Sequence, residues 1–190
     1  TWARADAEIL IDLVIGEFKK GKPVILPTDT LYGLAAPVCN IEAVRAIYAL
    51  KGRPLGMTLQ VAVGTVDMMR EVVCVDEASS RWMEGYLPGP HTFILPSKEG
   101  LPPEVVRDKK TAVRVPAHPV FQHLCSLSGP LAMSSANRHG EEPITGENPF
   151  IDDNILMIKD DIDRTGRPSE MIDMTLDPPA QVRRGKVNIL

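Results

Sequence analysis

Apolar positions Ile9, Leu10, Leu13, Val14 and Phe18 recur at helical spacing and predict a helix over 6–20, with Asp6 as its N-cap and Gly21 as its stop. The short run 24–26 then reads as a buried strand. Asn40 suits the N-cap of a second helix, through Leu50, that buries Val44, Ile47 and Tyr48. A strand over 58–63 follows, then a helix from Thr65 or Val66 to Val73 and another over 76–86 capped by Asp76, which Leu87-Pro88-Gly89-Pro90 ends. Strands are expected at 91–95 and 112–115, on either side of a polar stretch holding Pro102-Pro103 and Lys109-Lys110. Pro119 opens a helix to Leu127, 131–133 is a buried strand, and 139–154 is the most loop-like part of the chain. Short strands at 155–158, 171–174 and 181–183 complete the pattern. Helical and strand periods alternate throughout, which predicts an α/β fold.

Composition narrows this only a little. The chain has 190 residues, of which 44% are hydrophobic and 24% charged, enough for a sizeable core in a single domain over 1–190. A net charge of −4 argues against coating nucleic acid through a global basic field and leaves room only for a local basic patch. No apolar run approaches the roughly 20 residues that span a bilayer, and Arg4, Asp6 and Glu8 make the first segment unlike a signal peptide, so a cytoplasmic protein is expected. Cys39, Cys74 and Cys125 lie far apart and read as reduced core residues.

The candidate chemistry lies in two polar loops, each placed where a strand should end. One is Pro27-Thr28-Asp29-Thr30-Leu31-Tyr32-Gly33, followed a helix later by Lys51-Gly52-Arg53-Pro54; the other is Ser134-Ser135-Ala136-Asn137. At the carboxyl ends of strands in an α/β sheet, hydroxyls and amides line a ligand crevice, and a Lys/Arg pair nearby suits phosphate or carboxylate. Arg114, followed by Pro116 and His118, and the tail Arg183-Arg184-Gly185 add cations at two other strand ends. Together these imply a site for a small anionic molecule.

Each feature also has a plainer reading. Thr28, Asp29 and Thr30 suit a turn that satisfies its own backbone, and Lys51 and Arg53 taken singly suit a solvated pair at a helix C-terminus. Gly16 to Lys22 spells G-x-x-x-x-G-K, yet it closes a helix and precedes Pro23, which makes it a helix stop and no phosphate loop. His91, His118, His123 and His139 have no metal-ligand spacing and read as structural or surface residues. The acidic run Asp160, Asp161 and Asp163 reads as a solvated loop, so no protein-bound metal is expected.

As an ordered set, the motifs resemble the YrdC/Sua5 family of L-threonylcarbamoyladenylate synthases. The resemblance rests on Pro27 to Leu34, Lys51 to Pro54, Leu87 to Leu95, Arg114 to Pro119, Ser135 to Asn137, Ser169 to Asp173 and Arg183 to Gly185, and covers nearly the whole chain. It implies a twisted mixed sheet flanked by helices, with a basic concave pocket. It also implies a nucleotidyltransferase that joins L-threonine, bicarbonate or CO2 and ATP into threonylcarbamoyl-AMP with release of pyrophosphate. That product serves N6-threonylcarbamoyladenosine modification of tRNA, with tRNA or a tRNA-modifying transferase complex as partner and Mg²⁺ arriving with ATP.

By motif position, the resemblance gives Thr28, Thr30, Arg114 and Ser169 to the threonine and bicarbonate side. It gives Lys51 and Arg53 to the catalytic charges and phosphates, and Ser135, Asn137 and Arg183 to the nucleotide. This sequence departs from the family pattern at Met57-Thr58-Leu59, where Asn-Pro-Leu is common, at Ala62, where a histidine is common, and at Glu170, where a threonine is common. Two other functions therefore stay open at this point: a related carbamoyl- or acyl-adenylate enzyme with another acceptor, and a non-catalytic RNA-binding module.

Overall fold

The computed structural model describes residues 4–144 and 147–183. In chain order its elements are α1 (Arg4–Lys19), β1 (Val24–Leu26), β2 (Gly33–Pro37), α2 (Ile41–Lys51), β3 (Gln60–Ala62), α3 (Val66–Val72), α4 (Glu77–Met83), β4 (His91–Pro96), β5 (Lys110–Arg114), α5 (Pro119–Ser128), β6 (Leu131–Ser135), β7 (Glu170–Asp173) and β8 (Ala180–Arg183). The strands form one eight-stranded sheet in the order β1-β2-β6-β3-β5-β4-β7-β8. Only β3 with β5 and β4 with β7 run parallel; every other neighbouring pair is antiparallel.

Local chemistry sets most helix starts. The side chains of Asn40, Thr65 and Asp76 accept from the backbone N–H groups of Ala43, Met68 and Ser79, satisfying donors that a helix leaves open at its first turn. Asn40 also donates through Nδ2 to the Phe18 carbonyl (2.8 Å), tying the start of α2 to the end of α1. Asn40→Ala is expected to cost about 1–2 kcal/mol, read as a lower urea midpoint at unchanged slope; an unmoved midpoint contradicts this.

Register sorts the strand residues onto two faces. Ile25, Leu34, Ala36, Ala132, Val61, Val113, Phe93, Leu95 and Ile172 share one face, and they pack with Val44, Ile47 and Tyr48 of α2, Met69 and Val72 of α3 and Met83 of α4. On the other face Val24, Leu26, Ala35, Leu131, Met133 and Ala62 pack with Ile11, Val14 and Phe18 of α1 and Phe121, Leu124 and Cys125 of α5. Each fully buried aliphatic or phenyl side chain contributes roughly 1.5–3 kcal/mol. Further along that second face the composition changes to Gln60, Ala112, Thr92, Ile94, Met171 and Asp173, most of them half-buried, with Arg114 among them. The candidate site is built on this half of the face.

Several sequence expectations differ. Cys39 and Cys74 are exposed, so of the three cysteines Cys125 alone is a core residue. Gly33–Pro37 is a fully buried strand, whereas the sequence puts Gly33 at the end of a polar loop and assigns no element to the residues after it; the segment lacks the β-branched and aromatic residues that mark strands, and it is held by pairing on both sides. The expected strand at 155–158 makes only an isolated bridge, Met157 with Ile25. Helix α4 stops at Met83, just ahead of Gly85 at φ 86°. Helix α1 begins at Arg4, so Asp6 lies inside it and does not cap it.

Candidate active site

The antiparallel run of β6 separates groups that a parallel sheet would bring to one edge. Ser135 ends β6 beside Gly33, whereas Arg114 ends β5 beside Ala62, which itself pairs with Leu131 at the start of β6. The site therefore does not lie along a row of strand carboxyl ends, as the sequence suggests. The Pro27 to Tyr32 loop bridges the two ends: Ala136 N donates to Tyr32 O (2.9 Å) at one, and Thr30 meets Arg114 at the other.

Thr28 organises that loop. Its hydroxyl donates to Leu31 O (2.6 Å), lies 3.0 Å from Thr30 Oγ1, and accepts from the backbone N–H of Thr30 (3.2 Å). The plain turn chemistry expected here is present, and it serves to present Thr30 and Asp29. Both meet Arg114, which is 2% exposed: Nη1 donates to Thr30 Oγ1 (2.8 Å), Nη2 to Asp29 Oδ1, and Nη2 also approaches Gly89 O (3.5 Å). The Arg114 charge is thus balanced by a carboxylate, while Asp29 Oδ2 is buried without a partner among the described residues.

Lys51 and Arg53 differ from this in kind. Lys51 is the last residue of α2, 4% exposed and not a solvated helix-end charge; its ammonium donates to the carbonyls of Ser135 (2.5 Å) and Asn137. Arg53, in the following loop and half-buried, donates to Met57 O (3.0 Å) and Thr58 O (2.9 Å). Neither is paired with a carboxylate among the described residues. Burial, reinforced by the like charge of Arg53 and opposed by Glu141, pulls the Lys51 ammonium down to about 8. Two cations held by neutral carbonyls keep their charge available to an anion.

Asn137 is 8% exposed and donates through Nδ2 to Arg138 O (2.9 Å) and Glu141 O (2.7 Å), so its amide hydrogens hold the next turn. Its Oδ1 is buried with no partner among the described residues, an acceptor suited to a hydroxyl or amino donor and not to phosphate. Ser169, buried just before β7, lies 2.7 Å from the Thr92 hydroxyl, which also donates to Gln60 Oε1 (3.3 Å). This polar row ties the approach to β7 to β4 and β3.

The structure thus brings Thr28, Thr30 and Arg114 together and Lys51, Ser135 and Asn137 together, with Arg53 close to Lys51, while Ser169 meets Thr92. Arg183 ends β8 with its side chain outside the described residues, as are Arg184 and Gly185. Ala62 pairs with Arg114 and is fully buried, so no imidazole stands there. Glu170 is half-exposed and shares its face with His91 and Ile172, turned from the site face.

Sequence reasoning missed Asp29 as the counter-ion of Arg114, and Thr92 and Gln60 as the polar row. A threonine alternating with His91 and Phe93 on a buried strand was the available signal.

Comparison with known proteins places the chain and its fold. The Sua5/YciO/YrdC family model, described as "Telomere recombination", matches residues 17–185. A putative threonylcarbamoyl-AMP synthase of Methanocaldococcus jannaschii is 31% identical over 185 residues, 95% of this chain and 87% of that protein. The structure of Pyrococcus abyssi Sua5 complexed with L-threonine superposes with a TM-score of 0.85 at 31% identity, covering 93% of this chain and 54% of that one, so the chain spans about half of its length. E. coli YciO superposes with a TM-score of 0.79 at 26% identity, covering 92% of this chain and 88% of that one.

Proposed function

The chain belongs to the Sua5/YciO/YrdC family, and on that footing we propose that it is a nucleotidyltransferase that makes threonylcarbamoyl-AMP from L-threonine, bicarbonate or CO2 and ATP. The observation that carries this reading is the pair Lys51 and Arg53, buried or half-buried cations held by carbonyl oxygens and paired with no carboxylate among the described residues. The complex of the Pyrococcus abyssi relative with L-threonine supports the amino-acid side.

In this reading the threonine amine adds to CO2 to give a carbamate. A carbamate oxygen then attacks the α-phosphorus of ATP in line with the departing pyrophosphate, giving the mixed anhydride. No protein nucleophile is needed; the site must align two anions and stabilise the charge that develops between them. Lys51 and Arg53 are assigned to that charge. Thr30, Ser169 and the Arg114–Asp29 pair shape the threonine side, with Arg114 giving hydrogen bonds to a carboxylate while its net charge stays balanced. Ser135 and Asn137 face the nucleotide, Asn137 through its free acceptor.

Among the described residues no three His, Cys, Asp or Glu side chains group as a metal site, and Mg²⁺ in this reading is carried by the ATP phosphates. No helix in the described residues is long and apolar enough to cross a membrane. A role in threonylcarbamoylation of tRNA, with a transferase receiving the adenylate, follows as part of the same proposal.

The absence of an imidazole at Ala62 keeps a second reading in view, an adenylate-forming enzyme of this fold with another acceptor. Pyrophosphate release from Mg-ATP and bicarbonate, with and without L-threonine, decides between them. Release that depends on threonine is expected; release indifferent to threonine transfers the assignment to the second reading.

A further inference from the structure

The acidic run that reads as a solvated loop contains the most deeply buried carboxylate contact among the described residues. Asp160 has 1% of its side chain exposed and lies 2.5 Å through Oδ2 from Nε2 of His118, itself fully buried. His118 Nδ1 accepts from Phe121 N (3.3 Å) as the N-cap of α5, which leaves Nε2 carrying the proton donated to Asp160. The other carboxylate oxygen accepts from Ile162 N (3.3 Å) and from Arg164 Nη2, and the Arg164 guanidinium lies 4.1 Å over the ring of Tyr32. A carboxylate this buried is held only because both its oxygens are bonded.

The segment carried by this anchor crosses the substrate loop. Thr165 N donates to Asp29 O (3.0 Å) and Gly166 N to Thr30 O (3.2 Å), and three residues later the chain supplies Ser169. Residues 161–163 and 165–167 are exposed, so the anchor acts through a strap that is solvated along most of its length. Every site residue it touches is on the Arg114 side; none is Lys51, Arg53, Ser135 or Asn137.

We infer that Asp160 is a positioning residue for the amino-acid side of the site: through Arg164 and the amides of Thr165 and Gly166 it fixes Asp29, Thr30 and Ser169, and so governs threonine affinity independently of ATP. This rests on the threonine reading above.

The test is Asp160→Asn, which keeps the shape of the side chain, and Arg164→Gln at the outer end of the anchor. Both are assayed for pyrophosphate release with threonine and ATP varied separately, and both for amide exchange without substrates. The expected result is a KM for threonine raised about tenfold with kcat and the KM for ATP within about twofold, together with faster exchange at Thr165 and Gly166. Equal rises in both KM values, a fall in kcat at unchanged threonine KM, or unaltered exchange in two folded variants overturns the inference. If the unaltered protein releases pyrophosphate without threonine, the functional reading fails first and visibly; the link to threonine falls with it, and the exchange rates alone then judge whether Asp160 holds the strap.

Discussion

Lys51→Ala is expected to lower threonine-dependent pyrophosphate release by roughly a hundredfold to a thousandfold, the usual loss when a preorganised donor to a developing anion is removed from a dry site. The fold should survive, because the ammonium closes no ion pair among the described residues and the Ser135 carbonyl still accepts from Asn137 N (3.0 Å). Loss of both folding and activity would place Lys51 in the scaffold; retained activity would remove it from the chemistry. The pH dependence follows from the same burial. Lys51 is held at about 8, and its anion-binding form is the protonated one, so kcat/KM for ATP should fall as pH rises through about 8. Bound polyphosphate favours the ammonium, which moves the corresponding limb of kcat to higher pH.

Arg114→Met should carry the largest cost in stability, about 3–5 kcal/mol, because it strands the mostly buried Asp29 carboxylate whose second oxygen already has no partner among the described residues. Adding Asp29→Asn removes the stranded charge and should return much of that loss, whereas affinity for threonine stays weak, since Thr30 no longer has the guanidinium against it. Chemical unfolding of both single variants and the double variant yields the coupling between the two residues. Additive losses would mean that Arg114 and Asp29 are independent, and that the balanced-charge account of this side of the site is wrong.

Much of the fold is legible in the sequence because its signals are local. Asn40, Thr65 and Asp76 announce helix starts by accepting backbone hydrogen bonds three residues on, and the Val24–Leu26 strand is a short apolar run bounded by proline on both sides. What escapes is set by distant partners. Gly33–Pro37 is a strand because β1 and β6 flank it, and nothing in glycine, alanine and proline signals that. Lys51, ahead of a glycine at the end of a helix, looks solvated until the carbonyls of Ser135 and Asn137 close over it. Asp160 in an acidic run looks the same until His118 meets it from 42 residues away. The motif order drew attention to Lys51, Arg53 and Arg114; it did not reveal that Arg114 is paired with Asp29 while Lys51 and Arg53 are held by carbonyl oxygens.

The position of β6, inserted between β2 and β3, has a further consequence for how the molecule is assembled. Two strands made early have to wait for one made about seventy to a hundred residues later, a non-local closure of the kind that slows folding. Until Leu131–Ser135 emerges, β2 and β3 each keep an edge open to pairing with another chain, and Lys51 has none of the carbonyls that will hold it. Closing the sheet and enclosing the Lys51 ammonium are one event, so a chain too short or too misfolded to seat β6 lacks the carbonyl cage of Lys51 along with the sheet.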